Sequence, residues 1–249
     1  MIEKVFVQRG EHGEIMSEPA YAFWNGARML GYDPEFFTVA TIDEIEISRE
    51  TVVHGGVGMV RRAFERLGIP QPRVDGLPPE ELKSFYGRRL WATTMAEVRQ
   101  GYEDGHHFFI KPLKRHKAFT GLVMRPVIST LARTAHFEDD FEIMASDVVH
   151  FDAEYRLFVY KGEVLDARLY RGDFRKRLDF SVADQVIEAY TDAPVAYSID
   201  LGLAEDGRTL VVELNDCFSL GTYGFPAIPY ARMVLDRWEE ICSLSAIVD

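Results

Sequence analysis

Apolar positions along this chain recur with two different periods, and the changes of period mark out its elements. Val5–Gln8 reads as a first strand. Ser17 then sits where a helix N-cap would, Pro19 follows it, and Ala20–Leu30 carries a 3.6-residue apolar repeat that stops at Gly31. Phe36–Thr41 and Thr51–His54 read as two more strands; the second runs into Gly55-Gly56-Val57-Gly58 and a helix over Met59–Leu67 that ends at Gly68. This alternation predicts a small open α/β unit. Pro70 to Pro79 is punctuated by proline and glycine and reads as a linker.

Beyond the linker the spacing predicts a short helix over Pro79–Tyr86, a strand from Arg88 to Trp91, a helix over Thr94–Gln100 and an apolar strand Phe108–Lys111. Phe141–Phe151 follows as one long segment, then two paired strands, Glu154–Tyr160 and Val164–Tyr170, around Lys161-Gly162. Val182–Tyr190 places Val182, Val186, Ile187 and Tyr190 on one helical face, and a closing helix is expected over Pro229–Ile241. There is no internal repeat and no low-complexity segment.

Tyr197–Leu203 and Thr209–Leu214, separated by Glu205-Asp206-Gly207, form a β-hairpin pattern. Strand side chains alternate, so Glu213 and Asn215 share a face while Leu214 takes the other. Antiparallel pairing brings Asp200 beside Glu213. Two carboxylates and a carboxamide on one patch are hard oxygen donors of the kind that hold Mg²⁺. A solvated hairpin face is the plain alternative.

Two other stretches add positive charge. Phe108-Phe-Ile-Lys111-Pro-Leu-Lys114-Arg115-His-Lys117-Ala-Phe-Thr-Gly121 is an apolar strand entering a basic loop, and Glu154-Tyr-Arg156 places two charges on one strand face. The order strand-Lys-Pro, basic loop, Glu-x-Arg strand and Asp…Glu-x-Asn hairpin resembles the ATP-grasp superfamily of ATP-dependent carboxylate–amine and carboxylate–thiol ligases. The pattern of one arginine and two lysines is most similar to the clade named for its arginine and lysine signature. The resemblance runs from Leu82 to Tyr223, and the Asp200/Glu213/Asn215 spacing is its most specific part.

The resemblance implies an α/β (α+β) fold in which two α+β lobes clamp ATP behind a small open α/β N-terminal domain. The expected division is 1–78 for that domain and 79–249 for the ATP-grasp domain, with lobes of about 79–146 and 147–249. Lys111 is assigned to the α- and β-phosphates, and Lys117 to a lid closed by Thr120-Gly121, with Lys114 and Arg115 as alternatives. Arg88 matches the signature arginine, with Arg89 the lesser alternative. Asp147 would accept the adenine amino group, the backbone of Val148 and Val149 would read the ring edge, and Glu154 would take the ribose hydroxyls. Ile110, Met144, Val148 and Leu214 would sandwich the adenine or serve as plain core. Arg156 would reach phosphate or the substrate carboxylate, Arg168 and Arg171 would face the γ-phosphate or an acyl phosphate, and Asp200, Glu213 and Asn215 would hold Mg²⁺. The implied activity is amide formation between a small-molecule or peptide carboxylate and an amine, with release of ADP and phosphate. A regulatory ATP-binding module without turnover, and a kinase-like or RNA-modifying use of the same site, remain open, as does the homodimer that the superfamily often forms.

Composition narrows the partners. A formal net charge of −12 argues against a nucleic-acid backbone or an anionic membrane. Met1-Ile-Glu-Lys leads straight into a strand without a signal-peptide pattern, and no apolar run reaches bilayer length, so a cytoplasmic location is expected. Cys217 and Cys242 lack metal-ligand spacing, and His106-His107 has no third ligand nearby. Gly55-Gly56-Val57-Gly58 lacks the full phosphate-loop spacing, and a tight strand-to-helix turn needs glycine in any case.

Overall fold

The computed structural model describes residues 2–15, 17–70, 72, 76–114, 118–125 and 127–245. β1 (Lys4–Gln8) is the middle strand of a parallel three-stranded sheet, between β2 (Glu35–Phe37) and β3 (Thr51–His54). α1 (Glu18–Met29) starts where Ser17 accepts the Ala20 N–H, and α2 (Val57–Arg66) follows the glycine turn after β3. β2 is shorter than the expected Phe36–Thr41 strand. The Thr41 hydroxyl takes the Thr38 N–H at 2.9 Å, which diverts a ladder donor into a local turn.

A 3₁₀ helix, Glu80–Tyr86, leads into β4 (Leu90–Thr94) and α3 (Met95–Glu103), whose start is fixed by a Thr94/Glu97 capping box. β5 (Phe108–Pro112), β6 (Leu122–Met124), α4 (Ile128–Thr134) and β7 (Glu142–Ser146) complete an antiparallel sheet in the order β4-β7-β5-β6. The sequence pattern showed neither β6 nor α4, which are only three and seven residues long. The expected continuous segment Phe141–Phe151 is broken after Ser146, and β8 (Phe151–Tyr160) begins a second sheet. With β9 (Glu163–Gly172), α5 (Ser181–Ala189), β10 (Ala196–Ala204) and β11 (Thr209–Asp216), this sheet has the order β11-β10-β8-β9. Leu157, Val159, Ile199, Leu201 and Val211 pack with Val186 of α5.

α6 (Ala227–Ser245) extends beyond the expected helix at both ends and packs against the N-terminal unit. Tyr230, Ala231, Val234 and Trp238 share one apolar core with Phe23, Ala27 and Phe64, and Trp238 stacks on Phe64. Phe158 of β8 enters the same core by stacking on Phe225. A boundary at 78 therefore separates α6 from the residues it packs on. No helix among the described residues is long and apolar enough to cross a membrane.

Two contacts hold α6 in place. Gly26 of α1 lies so close to it that a Cβ there would overlap the carbonyl of Ala227 and come within 2.8 Å of the Ala231 Cβ. The Tyr230 hydroxyl donates to the Leu220 carbonyl at 2.6 Å and lies 3.1 Å from His54 Nε2. Its single proton is thus committed, so Nε2 must be the protonated nitrogen of His54 and donate to the tyrosine oxygen. Nδ1 has no partner, the ring stacks on Phe23, and burial pushes the imidazole pKa down to about 3.

Gly26→Ala is expected to lower the thermal midpoint, although alanine is the better helix former by about 1 kcal/mol. Overlap with packed backbone costs about 1–3 kcal/mol, and each kcal/mol is worth roughly 2–4 °C in a chain of this size. An unchanged or raised midpoint would contradict the close α1–α6 approach. His54 makes the fold acid-sensitive. With its folded pKa below the unfolded value, its contribution is complete above pH 6.5 and is lost as pH falls toward 3, at up to about 1.4 kcal/mol per pH unit. The stability difference between wild type and His54→Phe, measured by urea unfolding, should shrink as pH drops from 7 to about 4.5. A pH-independent difference would refute a neutral buried His54.

Candidate active site

A cleft of about 530 Å³ lies between the two antiparallel sheets. Phe109, Lys111, Leu122, Val123 and Met144 line it from one sheet, and Phe151, Glu154, Tyr170, Arg171, Val212 and Glu213 from the other. The connection Asp147–His150 forms its back wall. Arg88, Lys111, Asp147, Val148, Val149, Glu154, Arg171 and Glu213, all singled out from the sequence, border this space.

The hairpin brings Asp200 directly opposite Glu213. Asn215 Nδ2 donates to Glu213 Oε1 at 3.2 Å, so those two side chains share a face. Arg156 reaches the same patch from β8, where it stands beside Asp200 in the ladder. Its Nε and Nη2 donate to Asp200 Oδ1 and Oδ2 at 2.8 and 2.7 Å, and its Nη1 donates to the Gly221 carbonyl at 3.4 Å. Both partners are buried, Asp200 to 1% exposure and Arg156 to 7%. Burial pushes the Asp200 carboxyl up to about 6, with the guanidinium opposing; burial also opposes the charge on Arg156, but the carboxylate outweighs it and holds the guanidinium protonated.

Glu213 is 39% exposed in its side chain and faces two cations at 3.9 Å, Lys111 Nζ and Arg156 Nη2, beyond hydrogen-bonding distance. Its carboxylate thus retains open lone pairs toward the cleft. Glu154 is more fully engaged: Tyr170 donates to one oxygen at 2.8 Å and Arg171 to the other at 2.6 Å. Tyr170 stacks on Tyr223, and the Arg156 guanidinium lies over the Tyr223 ring at 5.1 Å. Tyr223 is a non-glycine residue at φ +48, a conformation costing about 1–3 kcal/mol that persists where surroundings enforce it.

Other expected residues sit elsewhere. Arg168 opposes Arg156 in the ladder but turns back onto Asp166 and does not border the cleft. Lys114 pairs with Glu142 at 2.6 Å, while Arg115 and Lys117 lie outside the described residues. Asp147 accepts the Arg89 N–H at 3.1 Å. Ile110 belongs to the apolar core under the β4–β7 sheet, and Leu214 lies on the back of the hairpin; neither borders the cleft, whereas Met144 and Val148 do. Sequence reasoning missed Phe109, Arg125, Phe151 and Tyr170. Two of them carried a signal: Phe109 lies two residues from Lys111 and Tyr170 two from Arg168, and period-two alternation puts such pairs on one face.

The donor set suits a hard cation in part. Glu213 offers oxygen atoms to the cleft, Asn215 is joined to Glu213 but borders a second depression with Leu214 and Arg237 and not the cleft, and Asp200 has only the second lone pairs of oxygens already bonded to Arg156. Among the described residues no cluster of three or more His, Cys, Asp or Glu side chains is gathered for a metal.

The family model for the ATP-grasp domain of the arginine-and-lysine signature clade, family 2, matches residues 85–233. No curated protein matches the sequence. Among solved structures, the chain is similar to D-alanine–D-alanine ligase from Bacillus anthracis complexed with ATP, at 14% identity and a TM-score of 0.59, over 98% of this chain and 99% of that one. It is similar to N5-carboxyaminoimidazole synthetase from Staphylococcus aureus, at 12% identity and 0.58, over 96% and 78%. The ATP-grasp ligase PsnB complexed with minimal precursor matches at 15% identity and 0.51, over the full length of both. At such identities these likenesses speak for a common fold. With the family model spanning more than half its length, this chain belongs to the ATP-grasp superfamily, in the clade named for its arginine and lysines.

Proposed function

We propose that this protein is an ATP- and Mg²⁺-dependent ligase that joins a carboxylate to an amine and releases ADP and phosphate. The observation that carries the reading is Glu213 at the cleft wall, 3.9 Å from both Lys111 and Arg156, with Arg156 bonded to Asp200 and Asn215 bonded to Glu213 behind the cleft lining. The coarse activity, an ATP-dependent ligase, also accords with the ligases among the structures it resembles.

In this reading the substrate carboxylate attacks the γ-phosphorus of ATP. An acyl phosphate forms and ADP leaves; the amine then attacks the acyl carbon, phosphate departs and the amine loses a proton. Such phosphoryl transfer needs positioning and neutralisation of charge on the phosphate oxygens more than covalent help from the protein. Lys111 supplies a mobile point charge, and Arg171 a forked one at the cleft wall. Val148 and Val149 border the adenine end, with Met144, Phe109 and Phe151 as its apolar surroundings. Glu154, bonded to Tyr170 and Arg171, would take the ribose hydroxyls through its remaining lone pairs. Glu213 and Asn215, with Asp200 behind them, would hold Mg²⁺, which would supply positive charge to offset that of the phosphate oxygens. Lys117 retains its assignment to the lid. The substrates belong to the broad class of small-molecule or peptide carboxylates and amines, since the similar structures include a D-alanine–D-alanine ligase and a ligase complexed with a minimal precursor.

One observation favours a second reading, an ATP-binding module without turnover. Glu154 and Asp200 already have both oxygens bonded within the protein. ADP release separates the two: a ligase releases ADP and phosphate when a carboxylate and an amine are both supplied from pools of amino acids and peptides, whereas a regulatory module binds ATP and releases nothing. Glu213→Ala is expected to lower acceptor-dependent ADP release by about 100-fold or more, with circular dichroism and thermal midpoint near wild type because the side chain is partly exposed. Normal turnover in that variant would remove Glu213 from the chemistry.

A further inference from the structure

Arg88 borders the cleft, yet its guanidinium is turned toward backbone. Nη1 donates to the Val211 carbonyl at 2.8 Å and to the Tyr86 carbonyl at 3.1 Å, and Nη2 donates to the Val212 carbonyl at 3.0 Å. Val211 and Val212 immediately precede Glu213. The ladder register is irregular at the same place: Asp200 opposes Glu213 and Leu201 opposes Val211, leaving Val212 as an extra residue on β11. A bulge of this kind puts two consecutive side chains on one side of the strand and re-aims them. Val212 and Glu213 both border the cleft, whereas Val211 is buried in the opposite core.

A bulged residue leaves the regular ladder, and β11 is an edge strand with one flank unpaired. Its carbonyls there need donors from elsewhere. Arg88 is placed to supply them by a close backbone approach: Gly87 has φ +58, and a Cβ on it would lie 2.5 Å from Leu210 Cδ2. The same segment holds the other wall of the cleft, because the Arg89 N–H bonds to the Asp147 carboxylate and the Asp147 N–H to the Arg89 carbonyl.

We propose that Arg88 is a positioning residue for Glu213: its fork on the Val211 and Val212 carbonyls fixes the β11 bulge that aims the Glu213 carboxylate into the cleft. Arg88 thus serves the cation site through the backbone. This rests on the reading of Glu213 as a Mg²⁺-holding carboxylate.

The test uses full-length Arg88→Lys, which keeps the charge and loses the fork. Hydrogen–deuterium exchange without ATP or Mg²⁺ should be about tenfold faster in β11 and unchanged in β1 and β3. The Mg²⁺ concentration for half-maximal ADP release should rise about tenfold or more, the usual scale for losing a group that orients a metal ligand. ATP affinity measured by calorimetry in EDTA should stay within about twofold. Unchanged β11 exchange would overturn the proposal. So would a tenfold loss of metal-free ATP affinity with an unaltered Mg²⁺ requirement, which would make Arg88 a direct nucleotide contact. Should the lysine variant fail to fold, deletion of Val212 restores a regular ladder with Asp200 still opposite Glu213. That deletion should raise the Mg²⁺ requirement of the otherwise wild-type chain, and an unchanged requirement would overturn the proposal. If wild type neither binds ATP nor turns over, the ligase reading fails, and the exchange result still decides whether Arg88 holds the bulge.

Discussion

The buried pair between Arg156 and Asp200 sets the geometry of everything around it in the cleft. A guanidinium and a carboxylate are costly to remove from water, and burial is tolerable only when the fork is matched and the remaining donors are used. Both conditions hold: two contacts at 2.7–2.8 Å join the pair, and the spare Nη1 reaches the Gly221 carbonyl. The pair ties β8 to β10 and fixes the loop carrying Tyr223 above them. Removing one partner would leave an uncompensated buried charge, at a cost of about 3–5 kcal/mol. Loss of activity in such a variant would therefore say little about chemistry, which is why the more exposed Glu213 is the better probe.

With Asp200 committed to Arg156, the division of labour among the acids follows. Glu213 stands 3.9 Å from each of two cations without closing a hydrogen bond to either, so its charge is partly balanced while its lone pairs remain open. Glu154 has one oxygen bonded to Tyr170 and the other to Arg171, with the second lone pair of each left over. Three carboxylates of one patch thus stand in three different environments, set by what each strand brings alongside.

How much of this was legible depended on whether the determining contact was local. Alternation over Glu213–Asn215 was enough to put Glu213 and Asn215 on one face, but the turn at Glu205–Gly207 by itself leads to Asp200 opposite Val212; the extra residue at Val212, which no sequence pattern showed, sets Asp200 opposite Glu213. The same alternation at Lys111 puts Phe109, and not Ile110, on the cleft face, so that position too was open to a reading from the sequence. Arg156, Arg168 and Arg171 are alike as residue types; which one meets Asp200, which turns back to Asp166 and which takes Glu154 depends on the β8–β9 register and its irregularities. Nor does any pattern within Ala227–Ser245 reveal that this helix completes a core at the far end of the chain. That is decided by the fit of Gly26 against Ala227 and Ala231.

Where a divalent cation and a triphosphate settle decides whether this cleft is a ligase site. The most direct measurement is a crystal structure with a non-hydrolysable ATP analogue and Mn²⁺, located by anomalous scattering. A metal peak is expected at about 2.1 Å from oxygens of Glu213, Asn215 and the phosphates, with Lys111 Nζ within hydrogen-bonding distance of a phosphate oxygen. A metal or triphosphate bound away from the hairpin, with Glu213 facing only water, would contradict the assignment.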